Sequence, residues 1–151
     1  MSDAVVLDVP VGVQSSSPLQ VLFLSTAGRE SPIAIHPRLL VRVGNDASVS
    51  LKQSYASVDI VSGHQGEALP SLVNCNTNIV LGNRASLRHT YSQELGDEVR
   101  HCEVLTADIG SNSLYQIDMI QLGATISRLN LHVDLQQSNS NFTVSDSSLL
   151  I

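Results

Sequence analysis

The sequence predicts an all-β chain wound into a right-handed parallel β-helix, a single-stranded solenoid, and three observations predict it. Alternating, β-branched segments run along the whole chain, no segment carries a 3.6-residue apolar stripe, and one strand-turn-strand unit recurs. The unit is Gly44-Asn45-Asp46-Ala47-Ser48-Val49 and again Gly82-Asn83-Arg84-Ala85-Ser86-Leu87, with Gly110-Ser111-Asn112-Ser113-Leu114 a looser copy. Its glycines fall 38 and then 28 residues apart. Uneven spacing suits stacked coils with loop excursions better than the regular blades of a propeller.

Each element follows from the same pattern. Strands are expected over 4–9, 19–25, 39–43, 48–52 and 58–61 in the first half, where Val, Leu and Ile alternate with polar residues, as in Ala4-Val5-Val6-Leu7-Asp8-Val9. The second half continues with 77–81, 86–91, 102–109, 114–122, 125–135 and 142–151, about eleven strands in all. Glycine punctuates them at Gly12, Gly28, Gly44, Gly82, Gly110 and Gly123, where turns or close backbone approaches are easiest without a β-carbon. The Pro-, Gly-, Ser- and His-enriched segments 26–38 and 63–70 read as loops, the second the more mobile excursion. The chain closes on Leu149-Leu150-Ile151, an apolar run without a polar cap, which suggests part of a longer solenoid over 1–151.

Composition bounds the function. A chain of 151 residues makes one domain with a sizeable core. Aromatic residues are 3% with no Trp, so the interior is expected to be filled by Val, Leu, Ile and Ala, not by Phe23, Phe142, Tyr55, Tyr91 and Tyr115. The formal net charge is -6 and Lys52 is the only lysine, which argues against nucleic acid or an anionic membrane as partner. Apolar runs are far short of the roughly 20 residues that cross a bilayer, and Ser2-Asp3 opens no leader. Two cysteines are too few for a disulfide framework and fit a reducing compartment.

The chemistry-bearing residues form no complete motif. His36, His64, His89, His101 and His132 invite a metal, and His101-Cys102-Glu103 places three potential ligands in a row. Strand alternation puts His101 and Glu103 on one face and Cys102 on the other, and the plain reading is a buried Cys102 between two solvated neighbours. Cys75, between Asn74 and Asn76, reads as a partly exposed structural thiol with no basic neighbour to activate it. The carboxylates Asp46, Asp59, Glu67, Glu94, Asp97, Glu98, Asp108, Asp118 and Asp134 scatter, and the Glu94 to Glu98 group sits in a turn at Gly96. No P-loop, dinucleotide fingerprint or nucleophile elbow is present, so no catalytic, cofactor-binding or metal residue is assigned. A β-helical carbohydrate-active enzyme would need carboxylates converging on one face. A surface β-solenoid binding protein would carry an export signal and Asn or Thr ladders.

Several segments together resemble the SufB/SufD family of iron-sulfur cluster assembly proteins, most closely SufD. They are Leu7-Asp8-Val9-Pro10, Pro37-Arg38-Leu39-Leu40-Val41 before Gly44-Asn45-Asp46-Ala47, Asn78-Ile79-Val80-Leu81-Gly82-Asn83-Arg84-Ala85-Ser86-Leu87, His89-Thr90-Tyr91-Ser92-Gln93, and Gly123-Ala124-Thr125-Ile126-Ser127-Arg128-Leu129-Asn130-Leu131-His132-Val133. Gln53-Ser54-Tyr55 stands where the family commonly carries a glutamate-tyrosine pair. The resemblance implies a non-catalytic scaffold working with a SufB-like subunit and a SufC-type ABC ATPase, with a homodimer as the other option, in a bacterial cytoplasm or plastid stroma. It implies an iron-sulfur cluster and ATP only through those partners. The family's N-terminal helical region and C-terminal segment have no counterpart in 1–151. Arg128, Asn130, His89, Gln93 and His101 match the family pattern as rung-building or turn-fixing positions.

Overall fold

A computed structural model describes residues 4–26, 31–58, 69–135 and 138–149. The expected strand 58–61, most of the loop 63–70, Gly28, His64, Asp59, Glu67 and the last two residues lie outside or largely outside those ranges. Eleven strands are described: β1 (Ala4–Val9), β2 (Leu19–Ser25), β3 (Ile33–Ile35), β4 (Arg38–Val43), β5 (Ser48–Ser57), β6 (Ser71–Leu81), β7 (Ser86–Leu95), β8 (Val99–Ile109), β9 (Leu114–Gly123), β10 (Ile126–Asp134) and β11 (Asn141–Leu149). All named pairings are parallel, in two sheets ordered β1-β4-β6-β8-β10 and β2-β5-β7-β9-β11. Apart from β3 and β4, which both join the first sheet, successive strands alternate between the sheets, so each coil contributes to both and stacks on the coil before it. This is a parallel β-solenoid.

Pairing in register stacks like positions into columns. Val9, Val43, Leu81 and Ile109 form one, and Leu7, Val41, Ile79, Ala107 and Val133 another. In the second sheet Val49, Leu87, Tyr115 and Phe142 stack the same way. The aliphatic expectation holds for these two columns of the first sheet and fails in the second sheet, where Tyr91 and Tyr115 are among the largest fully buried side chains. A short strand also appears where a loop was expected: β3 pairs with the first part of β6 and β4 with the rest. Pro37 separates them, because it has no N–H to give a ladder; its carbonyl still accepts from Asn76 N at 3.1 Å.

The repeated motif is the corner of the solenoid. Each copy's third residue adopts a left-handed conformation: Asp46 (φ 60°), Arg84 (φ 57°) and Asn112 (φ 55°), with Asn139 (φ 57°) at the same corner one coil on. Their amides bond to the carbonyl of the next coil, Asp46 N to Asn83 O, Arg84 N to Ser111 O and Asn112 N to Ser138 O, at 2.8–3.0 Å. Side chains repeat the ladder: Asn45 Oδ1 accepts from Asn83 N at 2.8 Å, and Asn83 Oδ1 accepts from Ser111 N at 3.0 Å. The glycine of each motif serves close approach, not a positive φ. A β-carbon on Gly110 would lie 2.7 Å from Gly82 C and O, and one on Gly82 would lie 2.7 Å from Asn45 N.

The opposite corner takes up the length difference. The connection from β5 to β6 covers 58–70 and that from β7 to β8 covers 96–98, while β5 matches β7 and β6 matches β8 in length. Those ten extra residues account for the 38-residue spacing becoming 28.

Because the crowding at Gly110 is against backbone that cannot rotate away, Gly110→Ala is expected to destabilise the chain by about 1–3 kcal/mol. Chemical denaturation measures it. A midpoint equal to wild type would mean that the glycine column is not in close contact.

Candidate functional site

Strand parity decides what lies inside. In β8, Leu105, Ala107 and Ile109 point inward, so Glu103 and His101 must as well; in β6, Ile79 and Leu81 carry Thr77 and Cys75 inward with them. The structure therefore corrects the expected assignment. His101 is 0% and Glu103 1% exposed, and Cys102 is half-buried on the outer face. Cys75, read as partly exposed, is 2% exposed and sits directly opposite Glu103 in the β6–β8 register.

Glu103 is the centre of a dry hydrogen-bond cluster. Its Oε1 accepts from Thr77 Oγ1 at 2.6 Å, Gln53 Nε2 at 3.2 Å and Tyr55 OH at 3.3 Å. Its Oε2 accepts from Tyr91 OH at 2.9 Å. Gln53 Nε2 also reaches the Tyr55 and Thr77 hydroxyls at 2.8 and 2.9 Å. These donors come from β5, β6 and β7, so the cluster ties both sheets together through one carboxyl group. Among the described residues its one ion-pair contact is with His101 Nε2, at 3.9 Å. Cys75 Sγ lies 3.6 Å from the same nitrogen. The ligand-type atoms of Cys75, His101 and Glu103 all fall within 4.8 Å of one another.

Burial sets the protonation. It pushes the Glu103 carboxyl up, with the hydrogen bonds from Thr77, Tyr91, Gln53 and Tyr55 pulling the other way. It lowers His101 to about 4, so the imidazole is neutral near neutral pH. The Cys75 thiol is raised by burial first and by the facing Glu103 second, and Tyr55 and Tyr91 rise for the same two reasons. Without a bound cation the interior favours uncharged groups.

The Tyr55 ring links the cluster to a cavity. It packs on His101 with ring centres 5.0 Å apart and stacks on Phe23 at 5.0 Å. Tyr55, Phe23, Ile35, His36 and Val73 help line a cavity of about 310 Å³. His36 is thereby placed on the cavity wall, outside the ligand triad. His89 is buried elsewhere, its Nδ1 3.0 Å from Tyr115 OH and its Nε2 without a partner. His132 is exposed on β10. Arg128 is exposed and bonds to Asn130, while Gln93 is buried and bonds to Leu122 O and Ser127. Glu94, Asp97 and Glu98 are exposed at the β7–β8 turn, as a solvated cluster should be. Asp46 is held below the usual carboxylate range by its bidentate contact with Arg84.

Residues 23–150 match the family model described as SUF system FeS cluster assembly, SufBD core domain. The chain belongs to the SufBD core family. It is 31% identical over 137 residues to an iron-sulfur cluster assembly SufBD family protein of Synechocystis, covering 91% of this chain and 30% of that protein. It is 30% identical over 99 residues to the iron-sulfur cluster assembly protein SufD of Plasmodium falciparum, covering 66% of this chain and 6% of that protein. The Plasmodium berghei SufD matches at 27% over 104 residues, 69% of this chain and 7% of that protein. The chain thus spans less than a third of the length of these relatives. Among its described residues no helix is long and apolar enough to cross a membrane.

The SufBD-type interior makes a pH prediction through His89, which stands apart from Glu103. Burial lowers its pKa from 6.5 to about 4, so between those values the unfolded chain binds the extra proton. Stability is then present above pH 6.5 and is lost as pH falls toward 4, by at most about 3 kcal/mol for this group. The double variant His89→Leu/Tyr115→Phe removes both polar partners and should flatten the stability slope across that window. Equilibrium unfolding at several pH values measures it, and an unchanged slope would show that His89 does not titrate so.

Proposed function

We propose that this SufBD-type solenoid acts as a non-catalytic scaffold subunit for iron-sulfur cluster assembly and transfer, the cluster being cargo. In this reading a SufB-like subunit and a SufC-type ABC ATPase are its partners. The observation that carries it is the family match across 23–150 on a fold made almost wholly of stacked parallel strands. The architecture supports it physically: coils stacked in register on two parallel sheets make a body whose outward-facing residues are held in fixed positions, as holding other molecules requires.

The enzymatic alternative is less well supported by the carboxylates. Glycoside hydrolysis needs two carboxyl groups flanking one bond. Here Glu94, Asp97 and Glu98 are exposed at a turn, and Glu103 is enclosed in the core.

Co-expression of the tagged full-length gene product with the SufB-like and SufC-like proteins of the same genome should yield a stable complex on size exclusion. Elution of each protein alone, with turnover of a polysaccharide by this one, would replace the scaffold with an enzyme.

A further inference from the structure

Cys75, His101 and Glu103 stand out as a donor set that the scaffold role does not require. A buried carboxyl group with no Lys or Arg against it, beside a thiol and an imidazole, is a costly arrangement inside a core that could have been aliphatic throughout. The neighbouring columns show that alternative, with Ile79 beside Ala107 and Leu81 beside Ile109.

We propose that Cys75, His101 and Glu103 bind one divalent transition-metal ion inside the solenoid. The geometry fits. Bonds of roughly 2.3 Å to sulfur and 2.0–2.1 Å to nitrogen at a tetrahedral angle put the two ligand atoms about 3.6 Å apart, and Cys75 Sγ and His101 Nε2 are separated by 3.6 Å. The His101–Glu103 edge is 3.9 Å and the Cys75–Glu103 edge lies within 4.8 Å, so the Glu103 carboxyl must move toward the other two ligands as the ion binds. His101 Nε2 is the ring nitrogen that faces both other ligands, and on binding an ion its proton moves to Nδ1, which is buried without a hydrogen-bond partner, a cost the metal–nitrogen bond offsets.

Charge argues for the same ion. A dication with one thiolate, one carboxylate and a neutral imidazole sums to zero, so both acids can ionise in a dry interior without leaving net charge there. Binding displaces the Cys75 thiol proton and, where the carboxyl is protonated, the Glu103 proton, releasing one or two protons per ion. Thr77, Tyr91, Gln53 and Tyr55 hold the carboxylate as outer partners hold the ligands of metal sites. The mixed sulfur, nitrogen and oxygen set suits Zn2+ or Fe2+ and excludes Mg2+ and Ca2+, which take oxygen. Three protein ligands leave a fourth position for an exogenous ligand. The site goes beyond the scaffold reading and stands or falls without it.

Titration of the full chain with Co2+ under anaerobic conditions tests the site. One equivalent should produce a sulfur-to-cobalt charge-transfer band with release of one or two protons. The band should persist in Cys102→Ser, vanish in Cys75→Ser, and need about tenfold more Co2+ in Thr77→Val. Competition by Zn2+ and by Fe2+ then ranks the natural ion. No band in wild type, a band that survives Cys75→Ser, or one lost with Cys102→Ser overturns the proposal. Should Cys75→Ser fail to fold, cobalt-edge absorption of the wild-type protein decides instead. One sulfur with two or more nitrogen or oxygen neighbours supports the site, and no sulfur or several overturns it.

Discussion

Parallel pairing in register is the constraint from which the rest of this molecule follows. Strands about 4.8 Å apart put each inward side chain on the equivalent residue of the next coil. A column must then be compatible with itself along its length. Aliphatic columns meet that condition easily, and at the corner the left-handed residues and the asparagine ladder meet it with repeated hydrogen bonds. A single polar residue in a column cannot be satisfied by its vertical neighbours alone, so it must find partners across the interior. Glu103 does so, reaching Thr77 in its own sheet and Gln53, Tyr55 and Tyr91 in the other.

That geometry makes the cluster cooperative. Each hydroxyl or amide that points at Glu103 comes from a different strand position, and all of them are buried from bulk solvent. Fully satisfied, such a network fixes the registry of the two sheets; with one member missing, it leaves a buried acceptor short of a donor. The same enclosure keeps Cys75 a thiol and His101 neutral, so their reactivity is suppressed until something compensates charge.

Much of this was legible in the residues and part was not. The repeated glycine-asparagine corner gave the solenoid, since few other folds repeat a turn at such uneven intervals, and β1 and β2 coincide with the expected strands. Strands β5, β6 and β7 were expected too short because Gln53, Ser54, Cys75, Ser92 and Gln93 look like loop residues although all are buried. The triad escapes the local pattern for a related reason: Cys102, the most apolar of the three neighbours, reads as the inward residue, while His101 and Glu103 are the buried ones. Counting back by twos from Ile109 through Ala107 and Leu105 would have placed Glu103 and His101 inside. The Cys75 contact could not be counted, since it depends on the register between β6 and β8, which no local pattern encodes.

The unequal corners carry a consequence for how such chains can diverge. The asparagine corner keeps four residues in each of its three motif copies, 44–47, 82–85 and 110–113, whereas the far corner holds thirteen residues between β5 and β6 and three between β7 and β8 with no change in strand pairing. Insertion at that side leaves the prism's cross-section untouched. A change of length between Val58 and Pro70 is therefore one that the registers of β5 with β7 and of β6 with β8 can absorb, and with them the inner hydrogen bonds around Glu103.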